Sequence, residues 1–339
     1  MQRASHQAES WLKVTRKGLY CEPGDFYVDP ALAVDRALIT HAHGDHARPG
    51  NKAVLATKET LRFMRLRYGK RAGHHLQAVT LGEVISIGPV KVSFYPAGHV
   101  LGSCQILLEY KGCRVVVSGD YKRRPDPTTL DFEVVPCHVF ITEATFGLPV
   151  FEHPPVESEL EKLTHVRTCF PERTLQVSAY SLGKCQRLIA ELRRAGIDEP
   201  IYLHGSQYHH CEAYQELGVN LGELRSVESC LGETLKGAIV FAPLNVLFQD
   251  YADRILDPIS TSASGWLRVR SKSFMGSCEL PLIISDHVDW PELTQTIEEV
   301  NPEEVWVTHG SEEATIHWCR SHQRRAKALS LVGRGDGEE

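Results

Sequence analysis

Four side chains able to bind a metal ion fall within six residues in the run Thr40-His-Ala-His-Gly-Asp-His. They are His41, His43, Asp45 and His46, spaced H-x-H-x-D-H. Neutral imidazole suits Zn²⁺, Mn²⁺ or Fe²⁺, and carboxylate suits the harder end of that range. On an extended backbone His41 and His43 point the same way and can share one ion. Asp45 and His46 are adjacent, point elsewhere, and can serve a second. Two ions roughly 3.5–4 Å apart can clamp a phosphodiester. One loop cannot complete two coordination spheres, so further His and Asp must arrive from later in the chain. The bland alternative, a His-rich surface loop that binds nothing, sits poorly with Gly44 and with the apolar run Ala37-Leu38-Ile39 that precedes the cluster.

The elements that must position these donors follow from the pattern of apolar residues. Phe26 to Val28 reads as a strand ending at Asp29, which could hydrogen-bond a ligand imidazole from behind. Trp11 to Tyr20 also reads as strand. Thr57 to Tyr68 reads as a helix with Thr57 as N-cap and Gly69 as its stop. Val84 to Tyr95 has a hairpin signal around Gly88-Pro89 and ends in Pro-Ala-Gly-His99-Val-Leu-Gly-Ser. A third imidazole belongs at such a strand end, although a lone His is as often structural. A second hairpin, Cys104 to Val117, ends in Ser-Gly-Asp120, the carboxylate placed to bridge two ions. Val134 to Thr142 reads as a strand ending in Glu143-Ala-Thr-Phe-Gly. Leu280 to Ile284 and Val305 to Val307 are later strands, ending in Ser-Asp-His287 and Thr-His309-Gly. Between these two strands lies a helix capped by Asp289.

The proline-rich stretch from Phe151 to Pro155 changes the character of the chain, and a boundary belongs there. Helix and strand then alternate to Ala242, as in a small three-layer α/β module. It contains Ser181-Leu-Gly-Lys184 at a strand-to-helix turn, where helix amides and a lysine can hold a phosphate. The signal is weak, since Ser181 can simply be an N-cap. His204, His209 and His210 form a second histidine group, read as structural or facing substrate because no carboxylates accompany it at strand ends.

Composition bounds the answer without naming it. The 339 residues suffice for two domains or one large α/β domain, with 42% apolar and 24% charged residues. No apolar run approaches the roughly 20 residues of a membrane span, and the polar segment Met1 to Ser10 lacks a signal-peptide core. A cytoplasmic location away from membrane is expected. Ten scattered cysteines without a C-x-x-C pair read as reduced core residues. The net charge of −6 does not announce a nucleic-acid binder, but cations cluster locally at Arg62–Arg71, Lys122–Arg124 and Arg268–Lys272. Each group suits either a solvated face or a phosphate backbone. Residues from Arg334 on read as a disordered tail.

The ordered set His41-x-His43-x-Asp45-His46, His99 and Asp120 resembles the metallo-β-lactamase superfamily. Glu143, His287 and His309 resemble motifs A, B and C of its β-CASP nucleases, and Tyr20-Cys-Glu-Pro-Gly-Asp-Phe26 with the compact length is most similar to the bacterial ligase-associated DNA exonucleases. The resemblance implies an α/β fold, an αββα sandwich formed by residues 1–152 and 280–339, with an inserted β-CASP cassette at 153–279. It implies two divalent ions, Zn or Mn. His41, His43 and His99 would hold the first, Asp120 would bridge, and Asp45, His46 and His309 would complete the second. His287, oriented by Glu143, would serve the leaving oxygen, with Asp45 counted in the catalytic set as well, and a bridging hydroxide would be the nucleophile. The implied activity is that of a metal-dependent DNA exonuclease in repair. Its substrate would be single-stranded DNA or a free end, and its partners a DNA ligase and helicase of the same pathway. One departure points elsewhere. The cross-link-repair branch usually lacks a histidine at motif C, whereas the RNA-processing members share it with this chain, so an RNA-cleaving β-CASP ribonuclease is the alternative. A thioester or lactam hydrolase would give the 150–280 region and His287 no role, and a non-catalytic scaffold would not need every ligand position filled.

Overall fold

The computed structural model describes residues 4–230, 235–243, 255, 257–269 and 278–331. The chain divides into two compact units, Met1–Pro149 with His287–Glu339, and Val150–Asp286.

The first unit opens with helix α1 (Ala4–Trp11) and strands β1 (Leu12–Thr15) and β2 (Gly18–Cys21), so the expected single strand from Trp11 to Tyr20 is a helix end followed by a hairpin. Strands β3 (Phe26–Val28), β4 (Arg36–Leu38) and β5 (Ala53–Thr57) follow, then α2 (Lys58–Tyr68), a 3₁₀ turn (Gly69–Ala72) and β6 (His75–Val79). These six strands form one sheet in the order β1-β2-β3-β4-β5-β6. Helix α2 starts where Thr57 Oγ1 accepts the Thr60 N–H and stops at Gly69.

Strands β7 (Ile85–Ile87), β8 (Val90–Pro96), β9 (Cys104–Tyr110), β10 (Cys113–Val117) and β11 (Val139–Ala144) begin a second sheet. Strand β11 starts later than the apolar run from Val134 suggests, and Glu143 lies inside it. Residues 150–286 then form a unit of their own. It holds α3 (Val156–Cys169), β12 (Leu175–Ser178), α4 (Lys184–Arg194), β13 (Ile201–Leu203), α5 (Gly205–Glu216), β14 (Leu224–Ser226), β15 (Ile239–Ala242), β16 (Ile259–Ala263) and β17 (Leu280–Leu282). Its strands pair in parallel in the order β14-β13-β15-β12-β16-β17. Strand β17, read from sequence as the start of the completing segment, thus belongs to this middle sheet. The chain returns through α6 (Trp290–Val300), β18 (Glu304–Gly310), α7 (Glu312–Ser321) and β19 (Arg325–Ala328), and the second sheet closes in the order β19-β18-β11-β10-β9-β8-β7.

Alternation along the strands explains the layers of the first unit. Leu38, Leu55, Ile106, Val115, Ile141 and Trp306 meet in one core between the two sheets. Their chain neighbours turn the other way. Ala37, Ile39, Val54 and Ala56 bury against Leu61 and Met64 of α2. Leu107, Val116, Phe140, Val305 and Val307 bury against Leu293 and Ile297 of α6 and Cys319 of α7. A strand covered on both faces reads as a continuous apolar run, as Val139-Phe-Ile does. Each fully buried aliphatic side chain contributes about 1.5–3 kcal/mol before entropy is counted. The sheets are thereby held as a stiff frame whose strand ends carry the polar residues.

All ten cysteines are free; eight are buried, Cys278 is half-buried and Cys169 is exposed. No helix among the described residues is long and apolar enough to cross a membrane.

Candidate metal centre

The candidate donors meet in the first unit, at the ends of β4, β8 and β10 and within β18. His41, His43, His99 and Asp120 are all buried, and their ligand atoms lie within 4.8 Å of one another. Asp45, His46 and His309 form a second such group. Asp120 Oδ2 stands between the two groups: 3.4 Å from His41 Nε2, 3.8 Å from His99 Nε2 and 3.5 Å from His46 Nε2. His99 Nε2 and His43 Nδ1 are 3.0 Å apart, and Asp45 Oδ2 is 3.9 Å from His309 Nε2. A third group, Asp120, Glu143 and His287, overlaps the first.

Each donor is held from behind. Asp29 adopts a left-handed backbone with φ of 43°. Its Oδ1 accepts the Thr40 N–H at 2.8 Å, and its Oδ2 accepts both the Thr40 hydroxyl at 2.6 Å and His46 Nδ1–H at 2.8 Å. The last bond fixes the His46 tautomer and leaves Nε2 for a ligand. The His99 loop is pinned by Ser103, whose Oγ accepts the N–H groups of His99 and Val100. The Thr57 and Thr60 hydroxyls both donate to Gly102 O in the same loop. Gly119 lets the Asp120 loop lie against Thr40, because a Cβ there would fall 2.7 Å from Thr40 Cβ.

His309 sits at a bulge. The β11–β18 register pairs Glu143 with Thr308 but Ala144 with Gly310, so His309 is the extra residue, and its φ is 63°. A bulge re-aims one side chain out of the strand alternation. Here it turns the imidazole toward Asp45.

Glu143 accepts three hydrogen bonds: Tyr121 N–H at 2.8 Å on Oε1, and the Thr145 hydroxyl at 2.5 Å and His287 Nδ1–H at 2.8 Å on Oε2. His287 is thereby fixed as the Nδ1–H tautomer with Nε2 free to act. The Val288 N–H donates to Tyr121 O, which ties the His287 segment to the Asp120 loop.

Electrostatics favour the ligating forms. Burial, with His46 beside it, holds the His41 pKa below the ordinary imidazole value. Burial and then the charges of His287, His41 and His43 push His99 well below it. Burial alone would raise the Asp45 and Asp120 carboxyls. The imidazoles beside them, His46 foremost, outweigh it and hold both below the usual carboxylate range. Neutral imidazoles and ionised carboxylates are what a divalent cation needs. Buried polar atoms normally find a partner. Yet His41 Nε2, Asp45 Oδ2, Asp120 Oδ1 and both His309 ring nitrogens have no hydrogen-bond partner here. All of these belong to the two groups, so the residues fit a pair of divalent ions.

Other candidate residues lie elsewhere. Ser181 and Lys184 are in the middle unit. The N-cap of α4 is Gly183, not Ser181, whose carbonyl accepts Gln186 Nε2, and Lys184 is only 3% exposed. His204 caps α5, His210 Nδ1–H donates to Ser206 O, and His209 pairs with Glu212. His138 Nδ1 accepts the Arg114 N–H and so ties strand ends together. Lys122 is buried in an ion pair with Asp126, while Arg123 and Arg124 pair with Glu299 and with Asp289 and Glu292. That basic group is therefore structural. Arg270 and Lys272 of the third group, and the tail from Arg334, lie outside the described residues.

Sequence reasoning missed Thr40, Ser103, Thr145 and Tyr121. Two of them carried a signal: Thr40 immediately precedes the first ligand, and Thr145 stands two residues from Glu143, on the same side of an extended chain.

No family model matches the chain. Among curated proteins it is 26% identical over 296 residues to a protein of Opitutus terrae named "Probable DNA ligase", covering 86% of this chain and 28% of that protein. It is 29% identical over 193 residues to "Endoribonuclease YSH1" of Mycosarcoma maydis, covering 46% of this chain and 22% of that one. The chain thus spans about a quarter of the length of these relatives. A solved protein of unknown function from Enterococcus faecalis V583 superposes with a TM-score of 0.58 at 14% identity, over 88% of this chain and 80% of that one, and shares the fold. These matches and the donor set are consistent with the metallo-β-lactamase superfamily and, within it, with the β-CASP nucleases that the motifs resemble.

Proposed function

We propose that the protein is a metal-dependent nuclease that hydrolyses phosphodiester bonds, and specifically a DNA exonuclease acting in repair. The observation that carries this reading is the position of Asp120 Oδ2, within 3.8 Å of imidazole nitrogens from both donor groups. In this reading His41, His43 and His99 would hold one ion and Asp45, His46 and His309 the other, with Asp120 serving both groups. When bound, such a pair of ions lowers the pKa of water and neutralises phosphodiester oxygens. Residues 1–149 and 287–339 form the αββα sandwich, and 150–286 the β-CASP cassette.

The chain's own residues supply the rest. Hydrolysis adds a water oxygen to phosphorus, breaks a P–O ester bond and requires a proton on the departing alkoxide. Glu143 keeps the His287 Nδ1–H in place, so a proton taken up at Nε2 makes the imidazolium, and Nε2 then gives that proton to the departing alkoxide and returns to the neutral Nδ1–H form. Thr145 and the Tyr121 amide keep Glu143 oriented. Asp29 holds the His46 Nδ1–H, which leaves Nε2 as the atom that would bind an ion.

Substrate choice rests on the relatives. Alignment along 86% of the chain with a protein named "Probable DNA ligase" supports DNA as the substrate and a ligase as a partner; a free end or single strand as the form of that DNA, a helicase partner and a cytoplasmic location belong to the proposal alone. His309 and the endoribonuclease relative favour RNA as the second reading. Matched end-labelled DNA and RNA strands, incubated with the purified protein and Zn²⁺ or Mn²⁺, separate the two. DNA shortened progressively from one end is expected. Preferential RNA cleavage would replace the first reading by the second, and equal activity in Asp120→Ala would overturn both.

A further inference from the structure

Several cations among the described residues are committed to carboxylates. Arg123 pairs with Glu299, Arg124 with Asp289, and Arg325 with Glu304, each at 2.6–2.7 Å. The segment at the end of α2 differs. Arg65, Arg67, Lys70 and Arg71 form no ion pair with any carboxylate among the described residues. The sequence explains why: no Asp or Glu stands between Glu59 and Glu83, in a chain whose net charge is −6. Arg65, Lys70 and Arg71 are exposed.

This edge is continuous with the metal loop. Arg67 Nη1 donates to Ala42 O at 2.6 Å, between His41 and His43. A Cβ on Gly44 would lie 3.7 Å from that same nitrogen and 3.9 Å from Tyr68 Oη. Gly69, with φ of 55°, ends α2 and leads directly into the turn that carries Lys70 and Arg71. A run of cations without local anions, abutting a phosphodiester-cleaving centre, complements a polyanion that must be fed into that centre.

We propose that the end of α2 and the turn after it, Arg65 to Arg71, form a track for the phosphate backbone of a single-stranded polynucleotide at the mouth of the metal centre. The proposal rests on the nuclease reading above. It specifies where the strand lies outside the reacting bond. Arg67 also holds the metal loop, so the test leaves it in place.

The test measures binding of single-stranded DNA and RNA of one length to the metal-loaded protein as salt is varied. Wild type is compared with R65A/K70A/R71A, with R71A alone, and with K13A/K91A/K111A, which removes the same charge from exposed lysines elsewhere. For single strands the slope of log affinity against log salt changes by about 0.7 per lost phosphate contact. The track triple is therefore expected to flatten the slope by about 2 and to weaken binding on the order of 100-fold at 0.1 M salt. R71A should flatten it by about 0.7, and the control triple should leave it unchanged. Metal content equal to wild type shows that the variants are folded. Equal losses in both triples would mean general charge attraction and overturn the track, as would an unchanged slope in R65A/K70A/R71A and R71A. If wild type binds neither strand at any salt, the nuclease reading itself falls.

Discussion

The Asp29 carboxylate accepts from the Thr40 amide, the Thr40 hydroxyl and His46 Nδ1–H. An Asn in its place would turn an amide N–H₂ toward one of these donors. Asp29→Asn is therefore expected to weaken metal binding about 10–100-fold, read by competition with a chromogenic chelator. Unchanged affinity would show that His46 needs no orienting partner. His287 acts later, on the leaving group. His287→Ala should lower kcat about 10²–10⁴-fold while the bound metal per chain stays at its wild-type value. Glu143→Gln should reproduce much of that loss, because His287 Nδ1–H would lose a charged acceptor. A Glu143→Gln enzyme with full kcat would remove His287 from the proton-delivery role.

The elements set those residues by close backbone approach. A Cβ on Gly310 would fall 2.2 Å from Ala144 O, at the bulge that turns His309, and Gly310 has φ of 72°. Gly112 has a similar φ of 79° but open space around it. Gly112→Ala should cost only the roughly 1–2 kcal/mol of left-handed backbone. Gly310→Ala should cost clearly more and also reduce metal content, because the bulge would have to shift. Thermal melts with metal analysis check the pair. Equal melting points in the two variants would argue that the bulge relaxes freely. The bulge itself was not legible in Val305-Trp-Val-Thr-His-Gly, since a bulge is defined by the partner strand. Helix α7 and strand β19 were also missed, and so was α5, where Tyr208, His209 and His210 interrupt any apolar stripe.

At the scale of the molecule, a cluster of buried imidazoles and carboxylates costs stability unless a cation compensates it. Zn²⁺ or Mn²⁺ at 100 times its Kd should stabilise the folded protein by about 2.7 kcal/mol, and a chelator should remove that gain. Differential scanning fluorimetry with and without chelator reads the shift. A melting point indifferent to both would argue against any ion at this centre. The layered frame makes the cluster possible: the two sheets, buried on both faces, hold strand ends of β4, β8 and β10 at one rim.

The sequence alone determined which residues are chemically able to act. His41 to His46, His99, Asp120, Glu143, His287 and His309 stand out because imidazoles and carboxylates rarely end apolar strands without a use. It also determined strands buried on both faces, such as those that hold Val139-Phe-Ile and Val305 to Val307, because such strands must be apolar throughout. The division of these donors into two groups around Asp120 was implied by the resemblance, but only the tertiary structure gives the distances, since they join residues far apart in the chain. Tertiary structure decided which hydroxyls orient them, because Thr and Ser are too common to signal a role. It separated the cations as well. Arg123 and Arg124 look as free in sequence as Arg65 and Arg71 do, and only folding brings Glu299, Asp289 and Glu292 against the first two.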